Sequence, residues 1–144
     1  GIGGDPEMAG AGHSHEYYKR GEYGYASRLA VAQNLSAVTA ACLMVRADVY
    51  REVEGLDESF AVAFNDVDFC LKIRKAGYLI VWTPFAEAYH YESKSRGFED
   101  TPEKVERFNR EINNFLSKWK TTRDAGDPYY NPNLTLERED FSLK

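Results

Sequence analysis

A helix pattern followed at once by a strand pattern, between Asn65 and Pro84, constrains the fold most. Asn65 is a good N-cap, and apolar residues then recur at helical spacing through Ala76, where Gly77 ends the pattern. Residues 78–83 are β-branched and aromatic and stop at Pro84, which predicts a strand. The helix positions expected to face the core are Val67, Phe69, Cys70, Leu71 and Ile73.

The remaining segments add few strands. Residues 37–45 form an apolar run that predicts a buried strand, and residues 48–53 predict a short helix. Gly55 is placed to adopt the left-handed conformation just after that helix. Residues 60–64 and 86–91 predict extended segments.

The longest helix is predicted after Thr101, an N-cap residue followed by Pro102 in the first turn. Its apolar stripe, at steps of three and four residues, consists of Val105, Phe108, Ile112, Phe115, Leu116 and Trp119. The element order predicts an α/β fold with a mixed sheet and flanking helices, but with too few strands for a complete doubly wound sheet.

The 144 residues suit a single domain. Residues 1–28 are rich in glycine and predict a flexible lead, or one whose packing partner lies elsewhere. Residues 127–144 are rich in proline and asparagine and predict a tail that wraps the surface. The chain is expected to be part of a larger domain.

Composition excludes several classes of function. The charge balance of 18 − 23 = −5 argues against nucleic-acid binding. The longest apolar run is about half of the ~20 residues that a membrane helix needs, and residues 1–12 lack the pattern of a signal peptide. Cys42 and Cys70 each lie in an apolar segment and are expected to be buried free thiols, which fits a reducing compartment.

Two acidic residues, Asp66 and Asp68, fall in the first turn of the helix that begins near Asn65. They either stabilise the helix dipole, or Asp66 is a general base or metal ligand between a strand and a helix. Two residues apart on a helix, these side chains point about 200° away from one another, so they should not share one task.

A second candidate group follows the strands. His90 is either a structural histidine or a ligand, and Lys94 and Arg96 lie on a loop that suits either a phosphate or solvent. His13 and His15, in the glycine-rich lead, are candidates for half of a metal site.

Residues 37–97 closely resemble the C-terminal half of glycosyltransferase family 2 enzymes, which have the GT-A fold. Flanking residues 12–15, 24–25 and 127–132 are similar to bacterial members, so the resemblance covers nearly the whole chain. The matching motifs, in the family's order, are Thr39-Ala40-Ala41-Cys42, Gly55-Leu56-Asp57-Glu58, Asn65-Asp66-Val67-Asp68-Phe69-Cys70, Ala76-Gly77-Tyr78, Thr83-Pro84 and His90-Tyr91-Glu92-Ser93-Lys94-Ser95-Arg96-Gly97.

The resemblance implies inverting transfer of a sugar from a nucleotide-diphosphate donor. It assigns Asp66 as the catalytic base and His90 as a ligand of the metal ion on the donor diphosphate. The loop 93–97 would close over that diphosphate, with Ser95 and Arg96 in contact. Residues expected to bind or support the acceptor are Thr39, Asp57, Asn65 and Asp68. One departure is Asn65 itself, where common members have Glu, and another is Glu54 in place of a second Gly.

The implied cofactor is a divalent ion, Mn²⁺ or Mg²⁺, and an imidazole ligand favours Mn²⁺. The implied partners are a nucleotide-diphosphate sugar and a glycan or other hydroxyl acceptor, as in cell-surface polysaccharide synthesis. Nucleic acid and a transmembrane segment are not expected. The resemblance places the enzyme in the cytoplasm or at the inner face of the membrane.

The family's first half, with the Asp-x-Asp motif that holds the metal, has no counterpart here. The only such pattern, Asp66-Val67-Asp68, belongs to the acceptor-side motif. We therefore expect the isolated fragment to be inactive, and to self-associate with residues 1–28 exchanged between chains. The alternatives are a non-catalytic carbohydrate-binding or interaction module, and a metal-dependent hydrolase built on His13, His15 and His90.

Overall fold

The computed structural model describes residues 12, 14–15, 18–90, 101–135 and 141–144. The fold is of the α/β class, as predicted. Its strands are β1 (Gln33–Leu35) and β2 (Ile80–Trp82), and its helices are α1 (Ala47–Glu52), α2 (Asn65–Lys75), α3 (Pro102–Lys118) and α4 (Lys120–Asp124), with short 3₁₀ helices at Tyr25–Ser27 and Ala40–Cys42. No helix among the described residues has the length and apolar character needed to span a membrane.

The sheet differs from the prediction. Within the described residues it consists of β1 and β2, which are antiparallel with Leu35 opposite Ile80, so the expected mixed sheet is not found there. The strand predicted at residues 78–83 is confirmed but shorter. Ile80 is buried whereas Val81 is 59% exposed, which is the alternation of a strand with one face on the core.

Residues 37–45 do not form the predicted buried strand. A 3₁₀ helix interrupts them, and Met44 is 98% exposed. A strand needs a neighbour for its backbone hydrogen bonds, and the described sheet contains only β1 and β2. Cys42 is exposed, contrary to the prediction, whereas Cys70 is fully buried and its burial raises the pKa of its thiol.

Helix α2 lies between two hydrophobic clusters and is the centre of the fold. Its predicted core positions are confirmed, except that Val67 is only half-buried. The first cluster contains Val49, Val53, Phe69, Cys70, Ile73 and Ile80, and the second contains Phe60, Leu71, Phe115 and Trp119.

Helix α3 begins as predicted, with the Thr101 hydroxyl accepting the Lys104 N–H at 3.4 Å and Pro102 in the first turn. Its predicted stripe is buried mainly towards the C-terminal end. Val105 and Phe108 are exposed, whereas Phe115 is completely buried and Glu111, an acidic residue, is 3% exposed.

The connecting segments are less regular than predicted. Helix α1 is confirmed one residue earlier, and Gly55 has the expected positive φ of 61°. Residues 60–64 bend instead of extending, and the described residues 86–90 form no strand. In the tail, Leu134 forms a β-bridge with Leu143.

We expect Phe115→Ala to destabilise the fold by about 3–5 kcal/mol, because it leaves a cavity where α3 meets α2. Urea unfolding followed by circular dichroism measures this change. Phe85→Ala is the matched control, because Phe85 is 85% exposed and its loss should change stability by less than about 0.5 kcal/mol. Equal effects of the two variants would contradict this assignment of the core.

Candidate functional site

Asp66 is held between the start of α2 and the 3₁₀ turn at Ala40–Cys42. Its Oδ1 accepts the N–H of Val67 at 2.8 Å, and its Oδ2 accepts the N–H of Ala40 at 3.1 Å. The side chain is half-buried. Two backbone donors from different segments therefore orient one partly accessible carboxylate.

Asn65 is not the N-cap that the sequence predicted. Phe64 is the N-cap residue, with a left-handed φ of 62°, and its carbonyl accepts the Asp68 N–H at 2.8 Å. Asn65 is the first helical residue, and its Oδ1 accepts the N–H of Asp66 at 2.7 Å. The asparagine side chain has satisfied the adjacent backbone donor instead of the donors one turn later.

Asp68 has different surroundings from Asp66, as their spacing predicted. It is completely buried, and its Oδ1 accepts hydrogen bonds from Trp119 Nε1 and Lys118 Nζ, both at 2.7 Å. Its Oδ2 is buried without a hydrogen-bond partner in the described part of the chain. The sequence analysis expected Asp68 either to bind the acceptor or to support the site. A completely buried side chain is not accessible to an acceptor, so this environment favours the supporting role.

Asp57 and Thr39 each contact a residue that also contacts this region or lies beside one that does. Asp57 Oδ2 accepts a hydrogen bond from Lys118 Nζ at 2.6 Å, and its Oδ1 accepts the Ser59 N–H at 2.9 Å. These hydrogen bonds, that from Lys118 first, hold the pKa of the Asp57 carboxyl well below its usual range. Thr39 is the N-cap of the turn that donates to Asp66, and its hydroxyl accepts the Ala41 N–H at 3.3 Å.

Asp66 lines an open groove with a volume of about 940 Å³. The apolar segment from Val38 to Val45 and strand β2 form much of its surface, and His15 and Arg28 contribute from the lead. The groove is large enough for a sugar, and Asp66 is the acidic side chain of α2 that reaches it.

The histidines do not assemble into a metal site in the described residues, where no three His, Cys, Asp or Glu side chains converge. His90 is exposed and does not line the groove. His15 Nε2 accepts the Tyr25 N–H at 3.1 Å, and burial, with nearby Arg28, lowers the pKa of His15. The hydrolase hypothesis therefore gains no support from His15 and His90, and His13 lies outside the described residues.

The candidate diphosphate contacts also lie outside the described residues. They are Ser95 and Arg96, within the predicted loop 93–97, together with Lys94. Their roles stay predictions.

The sequence analysis missed the polar contacts that Glu111 and Lys118 of α3, and Trp119 directly after it, make in this region. The feature of the sequence that could have indicated these contacts is Asp68, an acidic residue one turn before Leu71 on the buried face of α2. A carboxylate at such a position requires donors from a packed element.

Similar proteins are known from several bacteria. An uncharacterized protein, y4gI, of Sinorhizobium fredii is 57% identical over 134 residues, which are 92% of this chain and 15% of that protein. The O-antigen biosynthesis protein RfbC of Myxococcus xanthus is 34% identical over 117 residues, which are 78% of the chain and 8% of RfbC. An N-acetylglucosaminyl-diphospho-decaprenol L-rhamnosyltransferase of Mycobacterium tuberculosis is 37% identical over 60 residues.

The chain is therefore similar, in part, to proteins named for glycosyl transfer and polysaccharide synthesis, as the sequence predicted at this coarse level. It spans only a fifth or less of the length of each of these relatives. No profile of a known protein family matches the chain. No solved structure matches it either.

We expect Asp57→Asn to lower stability by about 1 kcal/mol at pH 7, after allowance for solvent screening of its ion pair with Lys118. The folded pKa of Asp57 lies below the unfolded value of about 3.9, so its contribution is present above that pH and is lost as pH falls. The difference in urea midpoint between variant and parent should therefore be full at pH 7 and shrink progressively as the pH falls below 4 towards the folded pKa.

The control is Asp124→Asn, which removes an exposed ion pair with Lys120. Its effect at pH 7 should be smaller. An effect of Asp57→Asn that persists undiminished in acid would show that the lost ion pair is not its cause.

Proposed function

We propose that this chain is the acceptor-side part of the catalytic domain of an inverting glycosyltransferase of family 2 with the GT-A fold. In this proposal it transfers a sugar from a nucleotide-diphosphate donor to an acceptor hydroxyl during cell-surface polysaccharide synthesis. The observation that carries the proposal is the Asp66 carboxylate, held by two backbone N–H groups at the edge of the groove.

Asp66 is the proposed general base. The acceptor hydroxyl lies in the groove beside the carboxylate and attacks the anomeric carbon as its proton passes to Asp66. The bond from that carbon to the diphosphate oxygen breaks on the opposite face, and its electron pair leaves with the diphosphate. The configuration therefore inverts. The Ala40 and Val67 N–H groups fix the direction of the carboxylate without protonating it.

The names of two relatives support this class of reaction, one named for O-antigen biosynthesis and one as a rhamnosyltransferase. Because the chain spans a fifth or less of these proteins, we propose that it acts within a larger polypeptide. Its reaction then takes place in the cytoplasm or at the inner face of the membrane.

The divalent ion expected from the resemblance does not fit the described residues alone, because no three His, Cys, Asp or Glu side chains converge among them. A Mn²⁺ or Mg²⁺ site needs about six donors, mostly oxygen. We therefore assign no step to a metal on this part of the chain. His90, Ser95 and Arg96 stay candidate contacts for the donor side.

Asp66→Asn in the full-length protein should lower kcat by at least ~10²-fold, because it keeps the size of the side chain and removes proton acceptance. Transfer is measured with a panel of nucleotide-diphosphate sugars that includes activated L-rhamnose. Asp124→Asn, on the exposed ion pair of α4, is the matched control and should retain activity. Near-normal transfer by Asp66→Asn would refute the base assignment. A protein that binds glycans but transfers none would favour the non-catalytic module.

The isolated 144-residue chain should neither transfer sugar nor bind Mn²⁺ tightly, because its described residues offer no cluster of ligands. It should also self-associate through its exposed apolar side chains, such as Met44 and Val81. Calorimetric titration with Mn²⁺ and sedimentation measure both properties. A monomer with micromolar metal affinity would contradict the proposal that this is part of a larger enzyme.

A further inference from the structure

One ammonium group contacts two carboxylates that flank Asp66 in the sequence. Lys118 Nζ, on the last turn of α3, lies 2.6 Å from Asp57 Oδ2 and 2.7 Å from Asp68 Oδ1. Asp57 lies within the connection between α1 and α2, residues 53–64, and Asp68 is in the first turn of α2. Lys118 therefore fixes how far apart these two points lie.

Helix α3 holds the middle of the same connection by two further polar contacts. The buried Glu111 accepts the Ala63 N–H through its Oε2 at 2.6 Å, and the Asn114 amide donates to the Ser59 hydroxyl at 2.9 Å. Every one of these contacts comes from one face of α3. Helix α3 therefore holds residues 57–68 at several points along their length.

The residue that immediately precedes α2 adopts a strained conformation. Phe64 has a φ of 62°, in the left-handed region that is unfavourable for a residue with a Cβ. Its ring stacks on Phe115 of α3, with centroids 4.9 Å apart, and on Phe108, at 6.1 Å. Such strain persists only where the surroundings hold it in place. Helix α3 supplies those surroundings.

We propose that Lys118 is a positioning residue for Asp66: by bridging Asp57 and Asp68 it sets the start of α2 and thereby keeps the Asp66 carboxylate on the Ala40 N–H. The role in catalysis rests on the proposed function, whereas the geometry does not. Lys118 matters more than an ordinary surface lysine, because its loss leaves the Trp119 indole as the remaining side-chain donor to the buried Asp68 among the described residues.

The Ala40 amide is a direct reporter of this geometry, since it donates to Asp66 Oδ2 from 26 residues away in the sequence. Its nitrogen and proton shifts are measured by two-dimensional NMR on the labelled 144-residue chain. Asp66→Asn first defines the shift that marks a broken contact.

Lys118→Met, which keeps most of the side-chain stem, should move the Ala40 resonance towards the position seen in Asp66→Asn. Lys118→Arg keeps the charge and should restore part of the original shift. Lys120→Met is the matched control, because Lys120 also pairs with an aspartate, Asp124, but on the exposed surface. The Lys120→Met substitution should leave the Ala40 amide resonance at its original position.

A folded Lys118→Met chain with an unmoved Ala40 resonance would overturn the proposal, as would an equal movement in Lys120→Met. Circular dichroism establishes that each variant is folded. If Lys118→Met is unfolded, Trp119→Phe serves instead, since it removes the indole donor to Asp68 and keeps an aromatic ring in the core. If both variants unfold, Lys118 has only a structural role and the proposal is wrong.

In the full-length protein, Lys118→Met should lower kcat about tenfold or more and leave the KM for the donor unchanged, because only the orientation of the base is altered. A loss confined to KM would contradict the positioning role. Absence of all transfer activity in the parent protein would refute the proposed function, whereas the NMR result would still decide the geometry.

Discussion

The buried carboxylate of Asp68 is the interaction on which the rest of the structure depends. A charge with no exposed surface is costly unless donors meet it, and here the donors are Lys118, the last residue of α3, and Trp119, which follows it. This requirement fixes the C-terminal end of α3 against the first turn of α2. Phe115 and Leu71 pack in the same hydrophobic cluster, in agreement with the relative position of α2 and α3 that the polar contacts specify.

The helices could be predicted from the sequence because their signals are local. Thr101 and Pro102 mark the start of α3, and Gly77, with a φ of 92°, follows the end of α2. Strands depend on neighbours that no local pattern identifies. Residues 37–45 are apolar enough for a strand but lack a pairing partner in the described sheet, whereas β1, at the polar residues Gln33 and Asn34, pairs with β2 and was not predicted.

The candidate site, like the fold, could be predicted from the sequence only in part. Asp66 and Thr39 were both identified from the sequence, and the structure brings their segments together through the Ala40 N–H. Lys118 was not identified, because a lysine at the end of an amphipathic helix is usually a solvated residue. Its role arises from contacts with Asp57 and Asp68, which lie 61 and 50 residues away in the sequence. Only the folded chain brings these three charges together.

The two hydrogen bonds that hold Asp66 come from segments that are packed to different extents. Val67 belongs to α2, whose position is fixed by two hydrophobic clusters and by α3. Ala40 belongs to a short 3₁₀ turn in a segment with exposed side chains, of which Met44 is the extreme case. For the general base proposed above, both contacts are needed, because the position and the direction of the carboxylate must each be fixed for it to accept the proton of the entering hydroxyl. Helix α3 therefore fixes where the carboxylate lies, and the turn at Ala40 sets the direction in which it points.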